Sequence, residues 1–186
     1  MNYHNITTDD MLNGDGLRVV LWVSGCTMEC YNCQNPQTWD FNSGIPFTDE
    51  AMQEILDCLS KPYISGVTLS GGHPLEPENI ETVAVIVRTV KEKFPQKTIW
   101  LYTGYTWEDI YGTISCLKNP VKYSYIFTQE DYLLNEIISL VDIIVDGRYI
   151  DERRDITLPF RGSSNQRIID VQQSIKQDKV VIYTNE

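Results

Sequence analysis

Apolar and polar residues alternate along the chain in blocks that predict strands, each followed by a helix. The first strong strand is Leu17–Val23, which is rich in β-branched and aromatic residues and follows a turn signal at 13–16. Later strands are predicted at 67–70, 98–102 and 141–145, with an extended piece near 167–171 and a final strand at 180–183. This order favours a sheet whose strands are joined by helical connections.

Between these strands, apolar residues recur at the spacing of one helical face. Thr48 is the predicted N-cap of the first helix. The buried face of that helix is formed by Met52, Ile55, Leu56 and Leu59. Further helices are predicted at 79–94, 107–114 and 129–140. Residues 115–128 show no clean period, so no element is predicted there.

Strands that alternate with helices predict an α/β fold with a mostly parallel sheet. The chain has 186 residues, fewer than the ~250 that a closed eightfold barrel typically needs. We therefore expect one domain over residues 1–186, a partial (β/α) barrel with its helices outside. Turn-like motifs follow the strands at 26–33, 71–74, 103–105 and 146–148. Because parallel strands end at one edge of a sheet, these motifs are expected to converge on one site.

The charge of the chain limits its partners. Its 26 acidic and 15 basic residues give a formal net charge of -11, which does not favour binding to nucleic acid. No apolar run approaches the ~20 residues of a membrane helix, and the first residues lack the basic and apolar parts of a signal peptide. We therefore expect a cytoplasmic protein with neither a nucleic-acid nor a membrane partner.

Three of the five cysteines lie close together after the first predicted strand. Cys26, Cys30 and Cys33 have the spacing C-x3-C-x2-C. Thiolates are soft ligands that favour zinc, copper(I) or iron–sulfur clusters. A structural zinc site usually has four protein ligands, whereas three cysteines on a cubane cluster leave one iron free to bind something else. The spacing therefore favours a cluster with an open coordination site.

Two other interpretations of these cysteines stay open at this point. A zinc site could be completed by His4 or His73, although neither histidine stands at the short distance from a cysteine along the chain that is typical of zinc ligands. An electron-transfer module is the other alternative, but a ferredoxin normally uses four cysteines per cluster. The isolated Cys58 and Cys116 are predicted to be packing residues, since free cysteine often behaves as a small hydrophobe.

The cysteine loop resembles that of radical S-adenosylmethionine (SAM) enzymes, and a Gly-Gly turn after the second predicted strand strengthens the likeness. Beyond that superfamily, the chain is similar to the activating proteins of anaerobic (class III) ribonucleoside-triphosphate reductase. The similar stretches are residues 1–3, 13–14, 24–33, 38–39, 42–44, 70–72, 103–105, 145–147 and 161–166. They cover nearly the whole chain, and the phrase Arg-Gly-Ser-Ser-Asn-Gln at 161–166 separates this family from other activases.

The resemblance implies a definite chemistry and definite partners. One 4Fe-4S cluster would be held by Cys26, Cys30 and Cys33, and SAM would chelate the open iron. One electron from the cluster would break SAM into methionine and a 5′-deoxyadenosyl radical, which abstracts hydrogen from a glycine of the reductase. The implied partners are that glycyl-radical reductase and a reduced flavodoxin-like electron donor.

The same resemblance implies which residues bind SAM. The set comprises Asn32, Cys33, Gln34, Gly71, Gly72, Thr103 and Asp146. Gly71 and Gly72 would offer carbonyls to the SAM amino group, and Asp146 would accept from a ribose hydroxyl. Two positions depart from the usual pattern. Asn32 stands where many radical SAM enzymes have an aromatic residue, and His73 stands where the family usually has an acidic one.

An activase of another glycyl-radical enzyme, of the formate-lyase type, is the alternative within the same chemistry, and the 161–166 phrase argues against it.

Five arginines cluster in the C-terminal quarter, at Arg148, Arg153, Arg154, Arg161 and Arg167. One is expected to pair with the SAM carboxylate and most to form surface ion pairs with Asp151, Glu152 and Asp155.

Overall fold

The computed structural model describes residues 1–118 and 126–184, and its centre is a seven-stranded sheet. The strands are β1 (Asn2–Asp10), β2 (Leu17–Val23), β3 (Ile45–Pro46), β4 (Ile64–Gly71), β5 (Thr98–Tyr102), β6 (Ile143–Asp146) and β7 (Arg167–Asp170). Their order across the sheet is β3-β1-β2-β4-β5-β6-β7. The predicted strands at 17–23, 67–70, 98–102 and 141–145 therefore correspond to β2, β4, β5 and β6, which are neighbours.

Five α-helices accompany the sheet in the described residues. They are α1 (Asp49–Leu59), α2 (Pro77–Lys93), α3 (Trp107–Lys118), α4 (Gln129–Leu140) and α5 (Val171–Gln177). Thr48 caps α1 as predicted, since its side chain accepts a hydrogen bond from the Ala51 N–H. The unassigned stretch 115–128 partly belongs to α3, and its residues 119–125 lie outside the described part. No helix in the described ranges has the length and apolar character needed to cross a membrane.

The α/β class is confirmed, but the expectation of a mostly parallel sheet is wrong. The pairs β2–β4, β4–β5 and β5–β6 are parallel, while β1–β2, β1–β3 and β6–β7 are antiparallel. In the described ranges no strand pairing joins β3 to β7, so the sheet stays open. The parallel centre brings the carboxyl ends of β2, β4, β5 and β6 to one edge of a mixed sheet.

The two faces of the sheet are covered differently. On one face, alternate residues such as Leu21, Leu69 and Leu101 pack with the helices in one large apolar core. On the other face a small cluster forms around Trp100, Val145 and Ile168, and Phe160 and Tyr183 pack against it. Since Phe160 and Tyr183 come from the chain after β6, this C-terminal part covers the face that the helices leave free.

Arg18 lies on the face of the sheet that carries the Trp100 cluster, near the start of β2 and away from the cysteine loop. It is fully buried, and its guanidinium donates to the side chains of Thr68 and Thr98 and to the backbone oxygens of Asp15, Val67 and Thr98. It also lies over the Trp100 ring, 5.4 Å from the centroid. Burial lowers its pKa to about 10, so the side chain stays charged near neutral pH. The arginine thereby ties the amino-terminal ends of β2 and β5 to the middle of β4.

Arg18→Met should destabilise the protein by about 2–4 kcal/mol, because buried oxygens lose the donors that satisfy them. Urea unfolding of the aerobically purified chain, followed by circular dichroism, measures this change. Arg153→Met, at an exposed arginine, is the matched control and should leave the midpoint unchanged. Equal midpoints for Arg18→Met and the native chain would contradict the bracing role of Arg18.

Candidate functional site

The cysteine loop leaves β2 in a conformation fixed by backbone hydrogen bonds. Gly25 has a φ of 91°, and its N–H donates to the Thr38 oxygen over 2.8 Å. The Cys26 N–H donates to the Trp39 oxygen over 3.0 Å, which ties the start of the loop to the chain that follows it. The Cys33 N–H donates to the Cys30 oxygen, so the last two cysteines share a tight turn. The loop is therefore ordered at both ends.

All three cysteines line one cavity of about 630 Å³ at the carboxyl ends of the parallel strands. Each is a free thiol, and burial raises the pKa of Cys26, so a metal must displace a proton there. The Asn35 N–H donates to the Cys33 sulfur over 3.3 Å, a bond of the kind that tunes iron–sulfur clusters.

In the described ranges, no three His, Cys, Asp or Glu side chains are close enough to hold one metal ion. Three thiolates on one loop are a soft donor set of the kind that holds an iron–sulfur cluster.

The Gly-Gly turn after β4 lies against this loop. The Gly72 N–H donates to the Val23 oxygen over 2.8 Å, and the His73 N–H donates to the Gly25 oxygen over 2.7 Å. Gly71 has a φ of 97°, a conformation that glycine adopts without strain. The two motifs singled out in the sequence are thus in direct backbone contact, and both glycines line the cavity.

His73 belongs to a buried network that the sequence did not indicate. Its Nδ1 lies 3.0 Å from Glu76 Oε1, and its Nε2 lies 2.8 Å from Thr103 Oγ1. Glu76 Oε1 also accepts from the N–H and the hydroxyl of Thr27, next to Cys26. Burial alone would raise the pKa of Glu76, but the bonds from His73 and Thr27 outweigh it and lower that pKa to about 2. The three-residue spacing of His73 and Glu76 is the local signal that this network leaves in the chain, and the predictions from sequence made no use of it.

The predicted SAM-binding residues do not all lie together. Gln34, Gly71, Gly72 and Thr103 share the cavity with the cysteines. Asn32 has a φ of 53°, and its side chain donates to Asp151, outside the cavity lining.

Asp146 lines a neighbouring cavity instead, and only 1% of its surface is exposed. Its carboxylate accepts from the Trp107 N–H and from Arg167, which also binds Glu108. Arg167 thus pairs with these acids and not with Asp151, Glu152 or Asp155. The ribose role of Asp146 stays a prediction.

The 161–166 segment contributes to the cavity wall and is held by its own hydrogen bonds and by bonds to the loop after β6. Gln166 Oε1 accepts from the N–H groups of Gly162 and Ser163, and its Nε2 donates to the Gly147 oxygen. Asn165 donates to the Arg148 oxygen, and Arg148 in turn donates to the Met28 oxygen in the cysteine loop. The segment therefore holds the loop after β6 in place, and through it the cysteine loop.

Two residues of the cavity wall each carry a buried donor that has no protein partner. The donors are the indole nitrogen of Trp39 and Nε of Arg161, within the described part of the chain. Buried donors normally have partners, so these two atoms are exceptions among the described residues. The Arg161 guanidinium carries a positive charge suited to a carboxylate.

Comparison with known proteins adds an independent observation. The family described as "4Fe-4S single cluster domain" matches residues 12–169. An anaerobic ribonucleoside-triphosphate reductase-activating protein of Enterobacteria phage T4 is 40% identical over 168 residues, covering 90% of this chain and 93% of the relative. Proteins of the same description from Haemophilus influenzae and Escherichia coli K12 are 36% and 35% identical, covering 90% and 89% of this chain and 97% and 96% of the relatives.

Proposed function

The chain belongs to the family of anaerobic ribonucleoside-triphosphate reductase-activating proteins, and we propose that it generates the glycyl radical of that reductase by reductive cleavage of SAM. The observation that carries the proposal is that three cysteines and the Gly-Gly turn line one cavity. Residues 1–186 would act as one radical SAM domain of the partial-barrel type, in the cytoplasm.

Cys26, Cys30 and Cys33 would hold one 4Fe-4S cluster, which when bound supplies the electron that splits the sulfonium of SAM. Carbonyls of Gly71 and Gly72 would accept from the SAM amino group, because no side chain blocks approach to this backbone. The remaining SAM contacts would come from the backbone of 32–34 and from Thr103 and Asp146. Arg161 lines the cavity and would pair with the methionine carboxylate.

The rim of the cavity also offers a route of entry for a segment of the reductase. Its outer rim carries Met11, Leu12 and Ile156, which are 67%, 79% and 86% exposed. The charged groups that line the described cavity are Arg148 and Arg161 beside the buried His73, and no carboxylate lines it although the chain is acidic. An uncharged, glycine-bearing segment of the reductase would enter over this apolar rim, since it brings no charge that must be desolvated. The electron would come from a flavodoxin-like donor.

We expect the iron- and sulfide-reconstituted protein to cleave SAM to methionine and 5′-deoxyadenosine under reducing, oxygen-free conditions. Adding the reductase should produce a glycyl radical on it, measured by electron paramagnetic resonance. A formate-lyase-type glycyl-radical enzyme in place of the reductase is the matched comparison and should stay radical-free. A protein with full iron and sulfide that leaves SAM intact contradicts the proposal, and a radical on the formate-lyase-type enzyme alone favours the alternative activase.

A further inference from the structure

Glu76 is a buried carboxylate at an unusual place. It is the N-cap residue of α2, where an acidic side chain normally accepts from the first N–H groups of the helix. Here the side chain makes no capping bond, and only 2% of the residue is exposed. A buried carboxylate that forgoes its capping partners needs other donors to offset its desolvation. Its donors therefore indicate what the carboxylate is for.

All of these donors belong to the surroundings of the cysteine loop. The N–H and hydroxyl of Thr27 lie 2.9 Å and 2.7 Å from Glu76 Oε1, and His73 Nδ1 lies 3.0 Å from the same oxygen. Because a carboxylate only accepts, Nδ1 of His73 carries the proton. Thr27 follows Cys26 directly, so these bonds fix the backbone at the first cysteine.

The network continues from His73 to the end of β5. His73 Nε2 lies 2.8 Å from Thr103 Oγ1, which also accepts from the Tyr105 N–H over 3.1 Å. The Tyr105 ring packs edge-on against the imidazole with its centroid 4.6 Å away. A continuous set of hydrogen bonds therefore joins the cysteine loop to the ends of β4 and β5, and Glu76 is its single anion.

We propose that Glu76 is a positioning residue for the cluster, which fixes Cys26 through Thr27 and lowers the cluster's reduction potential with its buried negative charge. The inference rests on the proposed function in taking the three cysteines as cluster ligands. Reduction adds an electron to the cluster, and a fixed anion nearby in a medium of low dielectric makes that addition less favourable. Position and charge are two separate effects of one side chain.

The arrangement allows the two effects to be separated by mutation. The three donors converge on one oxygen, so the carbonyl oxygen of a glutamine can accept all of them while the charge is lost. Glu76→Gln should keep iron and sulfide at native levels and shift the cluster midpoint potential to more positive values. Glu76→Ala removes both effects and should release iron to a chelator on the order of 10- to 100-fold faster, as typical for loss of a group that orients a metal ligand. Thr27→Val, which keeps the backbone bond and loses the hydroxyl bond, should lie between them.

The experiment uses the full reconstituted chain under anaerobic conditions. Iron and sulfide content, the rate of iron release to a chelator and the midpoint potential from a redox titration are measured for each variant. Glu136→Gln and Glu136→Ala are the matched controls, since this glutamate binds Arg88 on the helical surface away from the cavity. Both controls should match the native protein in all three measurements.

Native iron release in both Glu76→Ala and Thr27→Val overturns the positioning role, and a native potential in Glu76→Gln overturns the charge effect. If Glu76→Ala does not fold, Glu76→Gln and Thr27→Val still decide both points. Failure of the proposed function gives a different result: the native chain holds a cluster that responds to Glu76 but does not cleave SAM. Native SAM cleavage with Glu76 variants identical to the native protein refutes the inference alone.

Discussion

Replacing any one of Cys26, Cys30 and Cys33 with alanine is expected to abolish SAM cleavage and to remove most of the bound iron. The three thiols are the cysteine ligands that the cavity offers, and no carboxylate among the described residues lines it to replace a lost one. A cubane left with two protein ligands would expose a second iron to solvent, and the cluster would be lost or rearranged. Iron and sulfide analysis with product chromatography after anaerobic reconstitution measures both effects.

Cys116→Ala is the control for this series. Cys116 is a half-buried residue of α3 and does not line the cysteine cavity. It should retain native iron content and native cleavage. Full cleavage by any one of the three single variants would mean that its thiol is not a required ligand. A loss of activity in Cys116→Ala as well would point to general thiol damage instead of a specific cluster.

The central part of this fold was accessible from sequence because its signals are local. β2, β4 and β5 are short apolar runs that each end in a distinctive turn, and the three cysteines are close neighbours in the chain. Parallel strands bring such turns to one edge, so the meeting of the cysteine loop with Gly71 and Gly72 followed from topology alone. The contacts between the two motifs confirm that part of the prediction.

The elements that were missed depend on tertiary pairing. β1 has only Tyr3 and Ile6 buried, and irregularities in its pairing with β2 break the alternation that identifies a strand. The predicted final strand at 180–183 is wrong as a strand, because the segment makes only an isolated bridge between Ile182 and Ile169. The preceding residues form α5, whose short sequence has few apolar positions. Because neither β1 nor the antiparallel direction of β7 was predicted, we expected the sheet to be mostly parallel.

The polar network of the site was hidden for a similar reason. Glu76 lies 49 residues from Thr27, and Thr103 lies 30 residues from His73. No spacing rule connects residues so far apart, so the sequence indicated His73 only as a departure from the family pattern. Asp146 was predicted as a ligand residue from its position at the end of β6, and its carboxylate accepts from the Trp107 N–H and from Arg167. Its role toward the ribose stays a prediction.

Gly72→Ala is the other substitution for which we expect a large effect, and the reason is steric. A Cβ at this position would lie 2.5 Å from the backbone oxygen of Gly25 and 3.0 Å from that of Val23. Neither backbone oxygen can move without shifting the residues that precede Cys26. A shift of about 1 Å in catalytic geometry can lower a rate about 100-fold, and we expect SAM cleavage to fall by that order.

The same variant should also lose about 1–3 kcal/mol of stability, since overpacking a close backbone contact costs that much. Gly112→Ala provides the matched control, because among the described residues no atom outside the neighbouring helix backbone lies within 4 Å of its added Cβ in α3. That variant should gain about 0.5–1 kcal/mol from the lower entropy cost of alanine in a helix, and its SAM cleavage should be native. Urea unfolding and product formation are measured for both variants. Native cleavage by Gly72→Ala would show that the Gly-Gly turn and the cysteine loop are not coupled as the backbone contacts indicate.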